Sequence, residues 1–298
     1  MSEGGITRKQ AVLIGGAGLV AGSAAVAGVA LKLRPGKPAV VSSELTARFR
    51  DGELPGDDPG SVDWRHADPI IVPLQPQQIA QPFLQEGTIR ELVARALHNG
   101  KELGLLLEWD DADRDDLDGI DVFHDGVAVQ LPARAGTTPP ITMGGPGAPV
   151  HVLQWRATWQ RDLAGKTGVD QIYPRVVHDI MPDDILSAAD ALPYWPGRAV
   201  GNPVSNTARK TAVEEIVAEG FGTVTHVATQ SARGGAIHEG GRWKVAMAMA
   251  LERPEAGDPL RPDTQWPIAF AVWEGADGNR GGRKHIAGWL TLGLEATA

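Results

Sequence analysis

Residues 141–159 (ITMGGPGAPVHVLQWRATW) join three features that together can do chemistry: a soft metal ligand, a glycine-rich approach and a strand. Met143 stands ahead of Gly144, Gly145, Pro146 and Gly147, where missing side chains let backbone come close to a bulky, flat ligand. A thioether placed there can reach a metal ion. From Val150 the pattern turns to period two, with Val150, Val152, Gln154, Arg156 and Thr158 on one face and His151, Leu153, Trp155, Ala157 and Trp159 on the other. That alternation predicts a strand with one aromatic-rich face. Taken alone, Met143 reads as an ordinary loop or core methionine; only the wider pattern can overturn that.

The totals narrow the chemistry. The chain has no cysteine, which excludes disulfides, iron–sulfur clusters, thiolate zinc sites and the covalent attachment of a c-type haem. Any cofactor is therefore held noncovalently. A formal charge of -9 argues against a nucleic-acid partner, which would require a basic stripe. With 298 residues, 42% of them hydrophobic and 22% charged, the chain can bury a full-sized core and is not generally disordered. Nine Trp against two Tyr and five Phe suit either flat ligands or large sheet-on-sheet packing, and packing is the default. Six aspartates fall within residues 110–118 (DDADRDDLD). A hard cation would favour such a cluster, but the EF-hand spacing is missing, so the run reads as a solvated turn. No G-x-G-x-x-G, Walker, G-x-S-x-G or H-E-x-x-H motif is present, which removes the usual support for nucleotide, hydrolase and metalloprotease functions.

The elements that must position these residues follow from pattern. Residues 11–31 carry no charge behind Arg8 and Lys9, so residues 1–37 read as an export signal or membrane-anchor helix, with retention favoured. Thr7-Arg8-Lys9-Gln10 resembles a twin-arginine export signal with Lys9 in place of its second arginine. Residues 38–60, rich in Pro, Gly and charge, read as a linker with one helical turn near residues 45–49. Residues 61–298 read as one domain. Asn99-Gly100 between apolar runs at 88–97 and 102–109 predicts a hairpin. Further strands are expected at 69–74 on an edge, 122–131, 222–230, 243–251 with Met247 and Met249 in the core, 268–273 and 284–294. A helical turn is expected at 213–219. Residues 162–212 form a long, proline-rich stretch that would cover a cofactor or dock a partner. Short strands with few long helical periods predict an all-β, antiparallel two-sheet sandwich with long loops.

Several segments in order resemble the haem b binding gamma subunit of the ethylbenzene dehydrogenase and dimethyl sulfide dehydrogenase group. These are accessory cytochromes of type II molybdoenzymes of the dimethyl sulfoxide reductase family. The segments are LEWDD (107–111), DGVAVQLP (125–132), MGGPGAPVHVLQWRA (143–157), GFGTV (220–224), GRWKV (241–245) and AFAVWEGADGNRGGRKHIAGWLTL (269–292). The resemblance implies a lectin-like β-sandwich related to family-nine carbohydrate-binding modules, holding one noncovalent haem b between a methionine and a lysine. By position these fall on Met143 and Lys284. Lys244 and His285 are the rivals for the second ligand, and His285 should face away from Lys284 on a strand. Trp155 and Trp289 are expected beside the porphyrin and Arg156 at a propionate. His124 and His151 are read as polar surface or supporting residues.

The resemblance further implies a non-catalytic electron-transfer subunit. It would relay single electrons between the Fe–S subunit of a molybdopterin enzyme and a quinone-reactive membrane protein or cytochrome. An N-terminal anchor would keep it on the extracytoplasmic face of the membrane. Two other readings stand beside it: a cell-surface carbohydrate-binding or adhesion sandwich using exposed tryptophans as sugar platforms, and a haem-free subunit that only docks the complex. Intact-mass measurement of the mature protein tests the anchor. A retained segment leaves the chain whole, whereas a chain beginning near Gly28 shows cleavage and ends the anchor reading.

Overall fold

Asn99 and Gly100 turn the chain between β5 (Glu91–His98) and β6 (Glu102–Asp110). Gly100 adopts φ 80°, and the Asn99 side-chain oxygen accepts from the Lys101 and Glu102 amides at 3.0 and 2.8 Å, the local bonding that makes Asn-Gly a hairpin signal. In this computed structural model the described residues are 37–165, 173, 175, 187–191, 194–205, 209–262 and 264–296.

The remaining strands are β1 (Val40–Val41), β2 (Glu44–Phe49), β3 (Ile70–Pro73), β4 (Gln75–Pro76), β7 (Gly126–Pro132), β8 (Val150–Arg156), β9 (Val213–Ala218) and β10 (Thr225–His226). They are completed by β11 (Arg233–His238), β12 (Arg242–Ala250), β13 (Trp266–Trp273), β14 (His285–Ile286) and β15 (Leu290–Leu294). One hydrogen-bonded path runs β10-β9-β8-β7-β13-β15-β2-β5-β6-β12-β11. Strand β13 is its pivot. Trp266, Pro267 and Ile268 pair with β15, whereas Ala269 to Trp273 pair with β7. The two halves of the path then share one core: Leu105 and Leu107 of β6 and Val245 and Met247 of β12 bury together with Val127 and Val129 of β7 and Leu153 of β8. Tryptophans from both halves meet there. The Trp155 ring of β8 lies 5.0 Å from that of Trp243 and 6.4 Å from that of Trp109.

Several expectations are corrected. Residues 38–60 are not a linker, because β2 lies between β15 and β5 and buries Leu45 and Ala47. Its six residues alternate inward and outward, too short a run to be distinguished from a helical turn by period. The sheet is not wholly antiparallel, since β2 runs parallel to both β15 and β5, and β1 parallel to β3. Strand β3 pairs on both sides and is no edge. Residues 213–218 are strand β9 rather than helix. Adjacent Glu214 and Glu215 are both buried there, which hid the alternation. The strand expected at 222–230 shrinks to β10, and the last strand is broken into β14 and β15. Of residues 162–212, the described parts include the end of α1 (Ala157–Leu163), then α2 (Ala188–Ala191) and α3 (Pro196–Ala199). Residues 166–172, 174, 176–186, 192–193 and 206–208, like the apolar segment 11–31, lie outside the described residues. Among the described residues no helix is long and apolar enough to cross a membrane.

The acidic run is divided by the fold. Asp113 and Asp118 are solvated, but Asp111 is buried with Asp125 and Glu274, one oxygen of each lying within 4.8 Å of the others. Asp125 accepts from the Asp115 amide, the Trp243 indole and the Gly275 amide at 2.8, 2.9 and 2.9 Å. Burial, then the nearby Asp111 charge, pushes Asp125 up to about 7 and Glu274 to about 9. Glu274 hydrogen-bonds Asp111 and holds the proton between them. Both groups ionise near pH 4 in the unfolded chain, so their contribution to stability is complete below that pH and is lost as pH rises through about 7 and about 9. Buried His98, His151 and His285 are held neutral by burial and act in the opposite sense below neutrality. The clean test is therefore a comparison: Glu274→Gln should gain stability relative to the native chain as pH rises from about 5 to about 9 in denaturant melts. A difference independent of pH would show that Glu274 is not protonated in the fold.

Candidate functional site

Strand β7 is buried along its whole length, because its two faces serve two purposes. Val127, Val129 and Leu131 enter the main core, while Gly126, Ala128 and Gln130 line a cavity of about 540 Å³ on the opposite face. That volume falls in the range of cofactor sites, roughly 300–1,000 Å³. Val152, Gln154 and Arg156 of β8, Ile216 of β9, Ala271 and Trp273 of β13, and Ile286 of β14 extend the same wall. A second apolar cluster including Ala128, Val152, Ile216, Trp273 and Ile286 makes most of this surface hydrophobic. Small residues keep the floor low. A Cβ on Gly126 would stand 3.2 Å from the Trp155 carbonyl oxygen.

Met143 and Lys284 both line this cavity. Met143 has φ 66° and Gly144 has φ 79°, so two left-handed residues in succession turn the loop, an unfavourable conformation for a methionine that its surroundings must hold. The Gly220 amide donates to the Met143 carbonyl at 2.7 Å and the Gly144 amide to that of Pro140 at 3.0 Å. Only glycine suits position 144, where a Cβ would lie 2.5 Å from the Ala148 oxygen. Trp289 does not line the cavity. It packs with Met143 against the outer apolar cluster, and its indole donates to Pro139 at 3.0 Å, bracing the loop.

Lys284 immediately precedes β14, which is clamped between β13 and β4. The Gln77 amide donates to the Lys284 carbonyl at 2.9 Å. The buried Gln77 side chain also donates to Ala80 and Gly282 and accepts from Ile79 and Ala80, at 2.6 to 2.7 Å, tying the 77–84 loop to this segment. The Lys284 ammonium lies 4.9 Å from the Trp273 ring centroid. Although part of the side chain faces the open cavity, burial of the amine lowers its pKa to about 8, and among the described residues no carboxylate is paired with it. His285 points the other way, as the alternation predicts. Its Nε2 accepts from the Thr88 and Ile89 amides at 3.0 and 3.2 Å, which removes it as a ligand for this cavity. Lys244 lies on β12 and is not in the cavity wall.

The other expected residues separate. Trp155 is fully buried in the main core and does not touch the cavity; it lies on the opposite face of β8 from Arg156, so the two could not share one ligand. Arg156 does line the cavity, but its guanidinium is already matched by Glu214 at 2.5 Å and by Gln154 at 3.1 Å. The His226 Nδ1 lies 2.5 Å from the other Glu214 oxygen without forming a hydrogen bond to it. His124 lies in the wall and pairs with Asp118 at 2.5 Å, whereas His151 is buried near Glu215 at 3.5 Å, away from the cavity. Trp195 and Trp289 are half-buried, and the other seven tryptophans are buried, Trp273 among them in the cavity wall. Sequence reasoning gave no site role to the 77–81 stretch, Phe221, Val224, Asn279 and Arg280, which contribute to the wall. The signal for the last two was an arginine in a glycine-rich turn four residues ahead of Lys284.

The ethylbenzene dehydrogenase family matches residues 61–176. A protein assigned as heme subunit ORF7 of a respiratory nitrate reductase from Haloferax mediterranei is 25% identical over 78% of this chain and 66% of its own length. Chlorate reductase subunit gamma from Ideonella dechloratans is 25% identical over 66% of this chain and 62% of its own. The chain thus spans just under two thirds of the length of either relative. Among solved structures, a family-nine carbohydrate-binding module from Caldicellulosiruptor kristjanssonii in complex with glucose aligns over 86% of this chain and 97% of its own at 8% identity, with a TM-score of 0.39. By sequence, this chain is similar over part of its length to the ethylbenzene dehydrogenase family, and more widely to a heme subunit and a gamma subunit of two reductases.

Proposed function

We propose that this chain is the electron-transfer subunit of a molybdenum-dependent reductase, with one b-type haem seated in the cavity between Met143 and Lys284. The observation that carries the reading is the meeting of these two residues, far apart in sequence, in the wall of one apolar cavity. The family match and the names of the two relatives support it. The donor set suits the group: the Met143 thioether and the Lys284 amine would hold its iron, and no cysteine is needed. Bound there, a haem would supply one-electron redox chemistry at its iron.

The chain's own contribution is placement and proton control. Met143 is offered by a loop held at Gly220, Pro140 and, through Trp289, at Pro139. Lys284 can act as a ligand only as the free amine, and its burial makes loss of the proton easier than in water. The apolar wall keeps water from competing. No residue of the chain performs bond chemistry in this reading. Its partners would be a molybdopterin catalytic subunit and an Fe–S subunit on one side and a quinone-reactive membrane protein or cytochrome on the other. The extracytoplasmic face of the membrane would be its place, with residues 1–37 as the anchor.

Purified protein should show a sharp Soret band and, after dithionite, a low-spin α band. Met143→Ala and Lys284→Ala should each lose the low-spin spectrum, and a native spectrum in either variant would remove that residue from the ligand set. Because the ammonium must release its proton, haem affinity should rise with pH up to about 8 and then level. Lys284→Ala should abolish that rise. Colourless protein that takes up no haem would overturn the reading.

A further inference from the structure

The cavity wall carries three arginine or lysine side chains, and their neighbours set them different tasks. Arg156 is neutralised by the buried Glu214. The Lys284 amine is buried against Trp273. Arg280 differs from both: among the described residues it has no carboxylate partner. Its Nη1 donates to the Gly278 carbonyl at 2.8 Å, and its guanidinium carbon lies 4.3 Å from the Phe123 ring centroid. These contacts orient the planar group and leave most of its five N–H donors unused.

Asn279, next in sequence, supplies a separate observation. It is 1% exposed and in the cavity wall, yet among the described residues neither its amide oxygen nor its amide nitrogen has a hydrogen-bond partner. A buried carboxamide with both ends unmatched is uncommon and calls for a missing partner. The turn that bears these residues is held firmly. The Arg283 amide donates to the Arg280 carbonyl at 2.9 Å, with Gly281 at φ 54° between them. Gly281 accepts from the Trp273 indole at 3.1 Å, and Gly282 accepts from the Gln77 side chain at 2.7 Å.

Resting on the reading of a haem between Met143 and Lys284, we infer that Arg280 and the Asn279 amide form the anion-binding edge of the cavity and take the carboxylate groups of the bound porphyrin. Arg156, expected in that role, is already committed to Glu214. A guanidinium fork matches a carboxylate with two parallel hydrogen bonds, and the Asn279 amide nitrogen adds a neutral donor beside it. This edge would fix which way round the flat ligand lies, while Met143 and Lys284 hold its centre.

The test uses the full chain and two probes: haem, and haem whose two propionates are methyl esters. Arg280→Gln should weaken haem binding about tenfold or more, read by Soret titration, and leave ester binding within about twofold of the native chain. The low-spin spectrum should persist in both, since neither axial residue is altered. Asn279→Ala should give a smaller loss confined to haem. Arg280→Lys, which keeps the charge without the fork, should fall between the native chain and Arg280→Gln and serves where the glutamine variant does not fold. Equal losses for both probes, or unchanged haem affinity in Arg280→Gln, would overturn the assignment of Arg280. Failure of the native chain to bind either probe would instead defeat the haem reading itself.

Discussion

A lysine amine sealed against an indole ring, away from any paired acid, is the constraint that the rest of the site serves. An ammonium in such a place is poorly solvated, and the free amine is correspondingly favoured. The chain has more acidic than basic residues, so keeping Lys284 apart from them takes construction. Glu214 is absorbed by Arg156 and Asp118 by His124. The acids nearest the cavity are thereby matched elsewhere, and burial leaves the Lys284 ammonium easier to deprotonate than in water.

The cavity exists because β7, β8 and β13 bury both of their faces. On one side their side chains close the main core with β6 and β12, where Trp109, Trp155 and Trp243 pack together. On the other they present Gly126, Ala128, Val152 and Ala271 as a low, apolar wall. A strand with one solvated face could not do this. The same two-sidedness accounts for the burial of the Asp111, Asp125 and Glu274 carboxylates, which sit where β6 and β13 end and β7 begins, close to Trp243 and away from the cavity wall.

Two segments without regular structure complete the wall from opposite directions, and each is held by backbone bonds. The Met143 loop is fastened to Gly220 and Pro140, and the turn ahead of β14 is fastened to the 77–84 loop through Gln77. Neither relies on long-range charge. Side chains carried on braced loops above a rigid sheet are positioned by the sheet while the loops supply their chemistry.

Much of this was legible in the residues themselves. Local signals act over a few positions, so the Asn99-Gly100 hairpin, the two faces of β8 and the opposite orientations of Lys284 and His285 followed from turn chemistry and period two. The resemblance to a known family singled out Met143 and Lys284. Period and composition could not show that β2, in a stretch rich in proline and glycine, is threaded between β15 and β5, because only the burial of Leu45 and Ala47 by distant strands makes it a central strand. Nor could they show that Trp155 belongs to the core, that Arg156 is spent on Glu214, or that Arg280 has no carboxylate partner among the described residues. Those are facts about which side chains meet across the fold, and pairing between distant segments is decided by tertiary packing rather than by neighbours in the chain.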